Sequence, residues 1–235
     1  MLDGPLTPAK AGQAIEWAYA NSIGCLYYLA PLSDTGSIAI AQRNGFDFAD
    51  VRMTYVFARP DRLPANREEP PAGEEGERRT VLRAFRSSDI DALQSIASTS
   101  FTDTRFYQDP RFDRQACRRL YEIWVDKSCH GWADAVIVAE LDDRPVGFVT
   151  CHATVAGEGS IGLVGVSEYA RGQGVGQALI QGALKWMAER EVARISVVTQ
   201  GRNLAAQRLY QRSGLLVDQI HLWLHWWSDG TGRVG

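Results

Sequence analysis

The sequence has few cysteines, and those it has are scattered. Its 235 residues include four, Cys25, Cys117, Cys129 and Cys151, with no C-x-x-C pair and no histidine at zinc-ligand spacing beside two of them. A structural zinc site that is recognisable in a sequence needs such spacing. We therefore expect no bound metal, and the cysteine usage agrees with a cytoplasmic location.

Long apolar segments are also missing. The longest uninterrupted apolar stretches, such as residues 135–139, fall far short of the about 20 residues that a membrane-spanning helix requires. The first residues, MLDGP, contain neither the basic nor the apolar region of a secretory signal. We expect a cytoplasmic protein with no membrane partner.

No charge of one sign predominates. The formal net charge is -3, with 23% charged, 10% aromatic and 45% hydrophobic residues. A nucleic-acid-binding module needs a surplus of basic residues that contact phosphates, so we expect no nucleic-acid partner. The hydrophobic content suffices for a folded core and excludes a chain that is disordered throughout.

A proline-rich, charged segment divides the chain. Residues 59–79 hold four of the nine prolines, many charges of both signs and almost nothing apolar, which is typical of a linker. The segment separates an N-terminal piece, 1–58, from a C-terminal piece, 80–235, of ordinary domain size. We interpret the chain as one domain preceded by a partial one.

Hydrophobic periodicity predicts alternating strands and helices in the C-terminal piece. Short apolar or alternating runs predict strands at 81–85, 135–140, 145–154, 161–166, 195–199 and 221–227, with a hairpin turn at 142–144. Apolar residues at spacings of three and four predict helices over 88–97, 121–125, 174–191 and 204–212. The predicted fold class is α+β with a mixed sheet.

The two pieces contain a repeated order of strand, helix, glycine and strand. In the N-terminal piece the strand 26–29 is followed by a helix that ends before Gly45 and by the strand 51–57. The C-terminal copy has the strand 195–199, a helix that ends before Gly214 and the strand 220–227. The N-terminal piece therefore looks like a partial duplicate of the second half of the other piece.

A glycine-rich run stands between the strand that ends at 166 and the long helix that follows. Its residues are Arg171, Gly172, Gln173, Gly174, Val175 and Gly176. Alternate glycines let the backbone approach an anion, and the start of a helix attracts negative charge. The spacing fails the dinucleotide-binding G-x-G-x-x-G register, and the Walker lysine is absent. A structural turn or another kind of nucleotide site stays open on this evidence.

The R-x-x-G-x-G run, its flanking strands, and Asn203 and Tyr210 in the next helix resemble the GNAT N-acetyltransferases over residues 80–227. The resemblance implies a GNAT fold, in which a central mixed, mostly antiparallel sheet is flanked by helices, preceded here by a truncated GNAT-like half-domain. It implies that the run binds the pyrophosphate of acetyl-CoA, the co-substrate. It further implies that a splayed strand holds the pantetheine and the thioester, through Leu163, Val164 and Val166.

Within that superfamily the chain is similar to the TDP-fucosamine acetyltransferases of bacterial surface-polysaccharide synthesis. The similarity rests on the runs TDTRF at 102–106, LYEIWV at 120–125 and VVTQGRN at 197–203, and on the short N-terminal piece. It implies a nucleotide-linked amino-deoxysugar as the acceptor. The arginine and aromatic residues at 101–112 depart from a generic GNAT protein, so we expect them to lie over the acceptor.

Acetyl transfer to an amine requires a polarised thioester carbonyl and a proton for the departing thiolate. Backbone N–H groups of 163–166 are candidates for polarising the carbonyl, and Tyr210 is the candidate acid. Asn203 lies seven residues earlier, so both side chains would face one ligand. The alternative is that Tyr210 is a core residue and Asn203 only an N-cap.

Two other roles are less defined by the sequence. The base that accepts the amine proton is open among His152, Glu168 and Asp103. The last strand carries three tryptophans that could stack on a sugar or base, but we favour a core contact or a homodimer contact for them: Trp223, Trp226 and Trp227.

We therefore predict an acetyl-CoA-dependent N-acetyltransferase that acts on a primary amine, with the amino group of a nucleotide-linked deoxysugar as first choice. Two alternatives stay open: another small amine, such as an amino acid or an antibiotic, and an acyl-CoA-binding regulatory module without turnover. The pair Asn203 and Tyr210 favours catalysis. The N-terminal copy has Asp34 and Ala41 at the corresponding positions and no glycine-rich run, so we expect it to be catalytically empty.

Overall fold

The computed structural model describes residues 1–2, 4–57, 80–154 and 157–228, so the predicted linker at 59–79 lies outside the described residues. The α-helices of these residues are α1 (Pro8–Ala20), α2 (Thr35–Arg43), α3 (Ile90–Ser100), α4 (Arg105–Gln108), α5 (Arg114–Lys127), α6 (Val175–Ala188) and α7 (Leu204–Arg212). The strands are β1 (Cys25–Pro31), β2 (Asp47–Phe57), β3 (Val81–Ala84), β4 (Ala135–Leu141), β5 (Arg144–Ala153), β6 (Glu158–Val166), β7 (Arg194–Gln200) and β8 (Leu216–Trp227).

The eight strands form a single sheet in the order β1-β8-β2-β7-β6-β5-β4-β3. Neighbouring strands are antiparallel at every position except between β6 and β7, which run parallel. The predicted α+β class, with a mixed and mostly antiparallel sheet flanked by helices, is confirmed.

Three apolar clusters hold the helices on the sheet. α6 and α7 pack on one face of the central strands, around side chains such as Leu179 and Leu184. α1 and α2 extend this layer over β1 and β8, and α3 and α5 cover the opposite face of β4, β5 and β6. No helix in the described part of the chain is both long and apolar enough to span a bilayer.

The repeat is built as two interleaved units, β1–α2–β2 and β7–α7–β8. Each contains a helix of nine residues that is capped by the side chain before it. Oδ1 of Asp34 accepts a hydrogen bond from the N–H of Ser37, and Oδ1 of Asn203 accepts one from Ala206, both at 3.0 Å. Because β8 lies between β1 and β2, the units share one sheet. The division of the chain at 59–79 remains a prediction, and strands from both sides of it pair directly.

Candidate active site

A cleft opens in the sheet where β6 and β7 separate. The two strands pair only between Glu158–Ile161 and Arg194–Val197, and beyond these residues they diverge. A cavity of about 500 Å³ fills the gap, between the start of α6, the start of α7 and the segment 100–104. This volume lies within the usual range for small-molecule sites.

One wall of the cleft is β6, which contains a bulge at Gly162 and Leu163. These two residues together face Thr150 of β5, because Val149 pairs with Val164 and Cys151 with Ile161. The hydroxyl of Thr150 is buried and accepts a hydrogen bond of 2.8 Å from the N–H of Leu163. The expectation that this N–H polarises a carbonyl is therefore wrong, since the group is already bonded. The side chains of the wall are those predicted: Leu163, Val164 and Val166.

The glycine-rich run leads into the first turn of α6 at the mouth of the cleft. Gly172 and Gly174 have φ of +78° and +80°, a region that side chains other than glycine rarely adopt. At both positions a Cβ atom would meet no described atom within 4 Å, so the backbone there is open to an approaching ligand. Gly174 also caps α6 without a side-chain acceptor for the N–H groups of the first turn. This combination suits an anion.

The other members of the run have different surroundings. Arg171 lies 3.6 Å from Glu168, with both side chains at least half exposed, and the Gln173 amide donates to the Tyr169 carbonyl at 2.7 Å. Val175 is buried in the core. A Cβ at Gly176 would lie 3.2 Å from Leu209, so this glycine permits α6 to pack closely against α7; Gly176 also lines the cavity.

Asn203 and Tyr210 both line the cavity, as their spacing predicts. Asn203 is the N-cap of α7, and its Oδ1 accepts the hydrogen bond of the cap. The alternative that Asn203 serves as an N-cap is therefore confirmed for this atom. Tyr210 is 5% exposed, and its ring lies 5.7 Å from that of Tyr55. No described residue forms a hydrogen bond with the Tyr210 hydroxyl, and burial raises its pKa. The hydroxyl is therefore protonated at neutral pH and can donate to a ligand.

The three candidate bases differ in their position. Asp103 is exposed and lines the cavity. His152 is not among the residues that line the cavity, but its Nε2 lies 2.8 Å from the position that a Cβ at the lining residue Gly162 would take. Glu168 is 74% exposed beside Arg171 and does not line the cavity. The geometry leaves Asp103 and His152 as candidates.

A buried polar network, which the sequence does not reveal, anchors the segment 105–112 to the sheet. Oδ2 of Asp109 accepts hydrogen bonds from Nδ1 of His225 and Nε1 of Trp227, each at 2.9 Å. His225 is completely buried, and its Nε2 lies 3.1 Å from Nη1 of Arg105. Because a guanidinium group only donates, Nε2 accepts and Nδ1 carries the proton of a neutral imidazole. Burial, which lowers the pKa of His225, favours the same form.

The aromatic residues of this segment pack on the sheet. Phe106 and Phe112 contact each other and Tyr27 of β1. The Arg105 guanidinium lies 4.4, 4.2 and 4.0 Å from the ring centroids of Tyr27, Phe106 and Trp223. Within the described residues, only 101–104 of this segment line the cavity, and the expectation that the arginine and aromatic residues of 101–112 lie over the acceptor stays a prediction.

The tryptophans of β8 lie in the core rather than in the cleft. Trp223 and Trp226 are at most 9% exposed, and Trp226 packs against α1 and α2. Trp227 donates to the buried Asp109, as described above. The preference for a core role is confirmed for Trp226, and a homodimer stays a prediction.

We expect Asp109→Asn to remove a contribution to the free energy of unfolding that wild type loses at acidic pH. Burial alone would raise the pKa of Asp109, but hydrogen bonds from His225, Arg111 and Trp227 outweigh it and lower the pKa to about 2. A carboxyl group with a lowered pKa in the folded state stabilises the fold above its ordinary pKa, and this contribution is lost as the pH falls towards 2. Between pH 5 and pH 2 the wild-type free energy of unfolding should fall by about 2 kcal/mol more than that of the variant. Urea denaturation at the two pH values measures this difference, and equal losses would contradict the role of the network.

We expect one acetyl-CoA to bind per chain. In the N-terminal unit, Ala41 stands where Tyr210 stands in the other unit, and it is completely buried. No glycine-rich run precedes α2 in the sequence. Calorimetric titration gives the stoichiometry, and two molecules per chain would contradict the prediction.

Comparison with known proteins identifies related sequences. The acetyltransferase (GNAT) family matches residues 90–215. A dTDP-fucosamine acetyltransferase of Escherichia coli O6:H1 is 27% identical over 195 residues, which cover 82% of this chain and 77% of that protein. A spore coat polysaccharide biosynthesis protein of Bacillus subtilis is 26% identical over 62% of this chain, and the match spans only 50% of that protein.

Solved structures have the same architecture. A GCN5-related N-acetyltransferase from Sphaerobacter thermophilus superposes with a TM-score of 0.64 at 20% identity, over 92% of this chain and 66% of that one. Another from Kribbella flavida gives 0.63 at 17% identity, over 98% and 79%. At these identities the likeness concerns the fold alone.

Proposed function

The chain belongs to the GNAT acetyltransferase family, and we propose that it transfers the acetyl group of acetyl-CoA to the amino group of a nucleotide-linked amino-deoxysugar. One observation carries the proposal: where β6 and β7 separate, an open glycine-rich backbone and the hydroxyl of Tyr210, which has no hydrogen-bond partner among the described residues, line the same cavity. The similarity to a dTDP-fucosamine acetyltransferase over most of the chain supports this class of acceptor.

The residues of the cleft fit acetyl-CoA. The pyrophosphate would contact the backbone N–H groups of Gly172, Gly174 and the first turn of α6, where no side chain stands in the way. The pantetheine would run along β6, between Val164 and Val166 on one side and the start of α7 on the other. The thioester would then lie beside Tyr210.

When bound, acetyl-CoA supplies the acyl group and a thiolate leaving group. Among the described residues, β6 beyond Ile161 has no strand partner on the side of β7, so the backbone N–H groups that point to this side are available to polarise the carbonyl; the N–H of Leu163, which is bonded to Thr150, is not. The Tyr210 hydroxyl donates its proton to the departing sulfur. Asn203 acts as a positioning residue, because it caps the helix that carries Tyr210. Asp103 or His152 accepts the proton of the amine.

Release of free thiol from acetyl-CoA in the presence of different amines tests the proposal. The panel comprises dTDP-linked amino-deoxysugars, simple amino sugars, amino acids and aminoglycoside antibiotics. We expect the highest kcat/KM with a dTDP-linked amino-deoxysugar. A higher value with an amino acid or an antibiotic would overturn the assignment of the acceptor. Tight binding of acetyl-CoA without thiol release from any member would favour a regulatory module instead.

A further inference from the structure

A row of three polar side chains crosses the sheet beside the cleft. Arg52 of β2 lies directly opposite Gln200 of β7 on one side and His221 of β8 on the other. Residues that are opposite in antiparallel strands project from the same face, so the three side chains are neighbours. Gln200 lines the cavity. The row therefore extends the floor of the cleft away from β6 by two strands, or about 10 Å.

Arg52 is a partly buried cation without a counter-ion among the described residues. None of the ion pairs or hydrogen bonds of the described chain involves its guanidinium group, and burial lowers its pKa. Nδ1 of its neighbour His221 is buried and likewise has no hydrogen-bond partner in the described residues. Polar groups that are removed from water without partners are costly, and the cost is relieved when a ligand supplies them.

A second guanidinium group lies over the adjacent row. Arg105 packs on the ring of Trp223, which is two residues from His221 along β8, a separation of about 7 Å. Its one hydrogen bond to a described residue is the contact with His225, and it forms no ion pair with a described carboxylate. Asp50 of β2 lies opposite Trp223; its Oδ1 accepts from Nε of Arg202 at 3.4 Å, its Oδ2 has no hydrogen-bond partner among the described residues, and burial raises the pKa of this carboxyl group. Two guanidinium groups that form no ion pair with a described carboxylate thus lie on the face of the sheet that borders the cleft, with the carboxyl group of Asp50 near Arg105.

We propose that Arg52 and Arg105 bind the diphosphate of the nucleotide-linked substrate, with His221 and Gln200 as neutral hydrogen-bonding neighbours. The planar guanidinium group, with its several donors, suits phosphate oxygens. Arg52 is one strand, about 5 Å, from the wall of the cleft, so the sugar ring of the substrate would span from the diphosphate to the thioester. This inference rests on the proposed function and assigns its nucleotide specificity to particular residues.

The test compares Arg52→Met with a matched arginine variant on two acceptors. Arg43→Met is the control, because Arg43 is an exposed arginine of α2 on the opposite face of the sheet. The acceptors are a dTDP-linked amino-deoxysugar and the methyl glycoside of the same amino sugar. For Arg52→Met we expect KM for the dTDP-linked sugar to rise at least about tenfold, as for a lost charge-assisted hydrogen bond. The KM for the methyl glycoside, the KM for acetyl-CoA and kcat should stay within twofold, and Arg43→Met should match wild type.

Several results would overturn the assignment. KM values for both acceptors that rise together would indicate a structural role, and an unchanged KM for the dTDP-linked sugar would place the diphosphate elsewhere. If Arg52→Met does not fold, Arg52→Lys is the substitute, because it keeps the charge. It should raise the KM for the dTDP-linked sugar and leave the KM values for the methyl glycoside and acetyl-CoA unchanged. Calorimetric titration with dTDP separates this inference from the proposed function. If wild type binds dTDP, Arg52→Met does not, and wild type turns over no dTDP-linked sugar, the anion site is supported and the proposed acceptor is refuted. If wild type does not bind dTDP, the anion site is refuted.

Discussion

Tyr210→Phe is expected to lower kcat by about 10²- to 10⁴-fold, the range for loss of a general acid, with little change in acetyl-CoA affinity. The substitution keeps the ring, which is 95% buried beside Tyr55, and removes only a hydroxyl without a hydrogen-bond partner in the described chain. The free energy of unfolding should therefore stay close to that of wild type. Steady-state thiol release and urea denaturation measure the two quantities.

Tyr55→Phe is the matched control for this variant. Tyr55 is also buried, and its hydroxyl lies 3.5 Å from Oε1 of Gln207 rather than at the cleft. We expect its kcat to remain within about threefold of wild type, short of the general-acid range. Tyr210→Ala should instead destabilise the fold by about 3 to 5 kcal/mol. If Tyr210→Phe also turns over within threefold of wild type, the tyrosine is a core residue and water is the proton donor.

The pH dependence of kcat follows from the same environment. An acid must be protonated to act, and burial raises the pKa of Tyr210 above its ordinary value. Activity should therefore be retained as the pH rises to the ordinary tyrosine pKa of about 10 and be lost only above it. A basic limb of kcat near pH 8 would assign the proton to another group.

The fold could be predicted from the sequence where a helix or strand has a clear apolar period and a clear stop signal. The helix predicted over 204–212 is Leu204–Arg212, with an asparagine before it and a glycine soon after. The hairpin turn at Asp142 and Asp143 has φ of +50° and +59°, as a tight two-residue turn between strands requires. These local signals agree with the tertiary structure, so nothing overrides them.

Local pattern is insufficient for other elements. α1 is not predicted by periodicity, because alanines supply its two buried positions. Its available signals are the N-cap Thr7, which accepts a hydrogen bond from the N–H of Lys10 at 3.2 Å, and Pro8 at the first position. β8 begins at Leu216, whereas the predicted strand begins at 221. The sequence misses this start because the first four residues of β8 are exposed and lack an alternating apolar pattern.

The candidate site shows the same division. The glycine-rich run and Tyr210 can be recognised because their spacing is local. The pairing of Asp109 with His225 joins residues that are 116 positions apart, and the pairing of Arg52 with His221 depends on strand register. Such contacts arise only because the N-terminal strands interleave with β7 and β8 in one sheet. The repeat suggests that the two units are related, but the order of elements along the chain does not specify how their strands pair.

Gly174→Ala is expected to reduce acetyl-CoA affinity by at least about 100-fold. A methyl group at this position would project into the open space before the first turn of α6, where the pyrophosphate would lie. Loss of two charge-assisted hydrogen bonds, at about 1.5 to 3 kcal/mol each, gives an effect of this size. Calorimetric titration with acetyl-CoA measures it.

Backbone strain has to be separated from the loss of binding, because Gly174 has φ of +80°. Any residue with a Cβ is strained there by about 1 to 2 kcal/mol, and valine would add the strain of a branched side chain. Gly4→Ala is the matched control, since Gly4 has φ of +66°, with equally open space around a Cβ, and lies outside the cleft. Both variants should lose similar stability in urea denaturation, and only Gly174→Ala should lose affinity. An acetyl-CoA affinity that falls equally in the two variants, or in neither, would remove the pyrophosphate from the glycine-rich run.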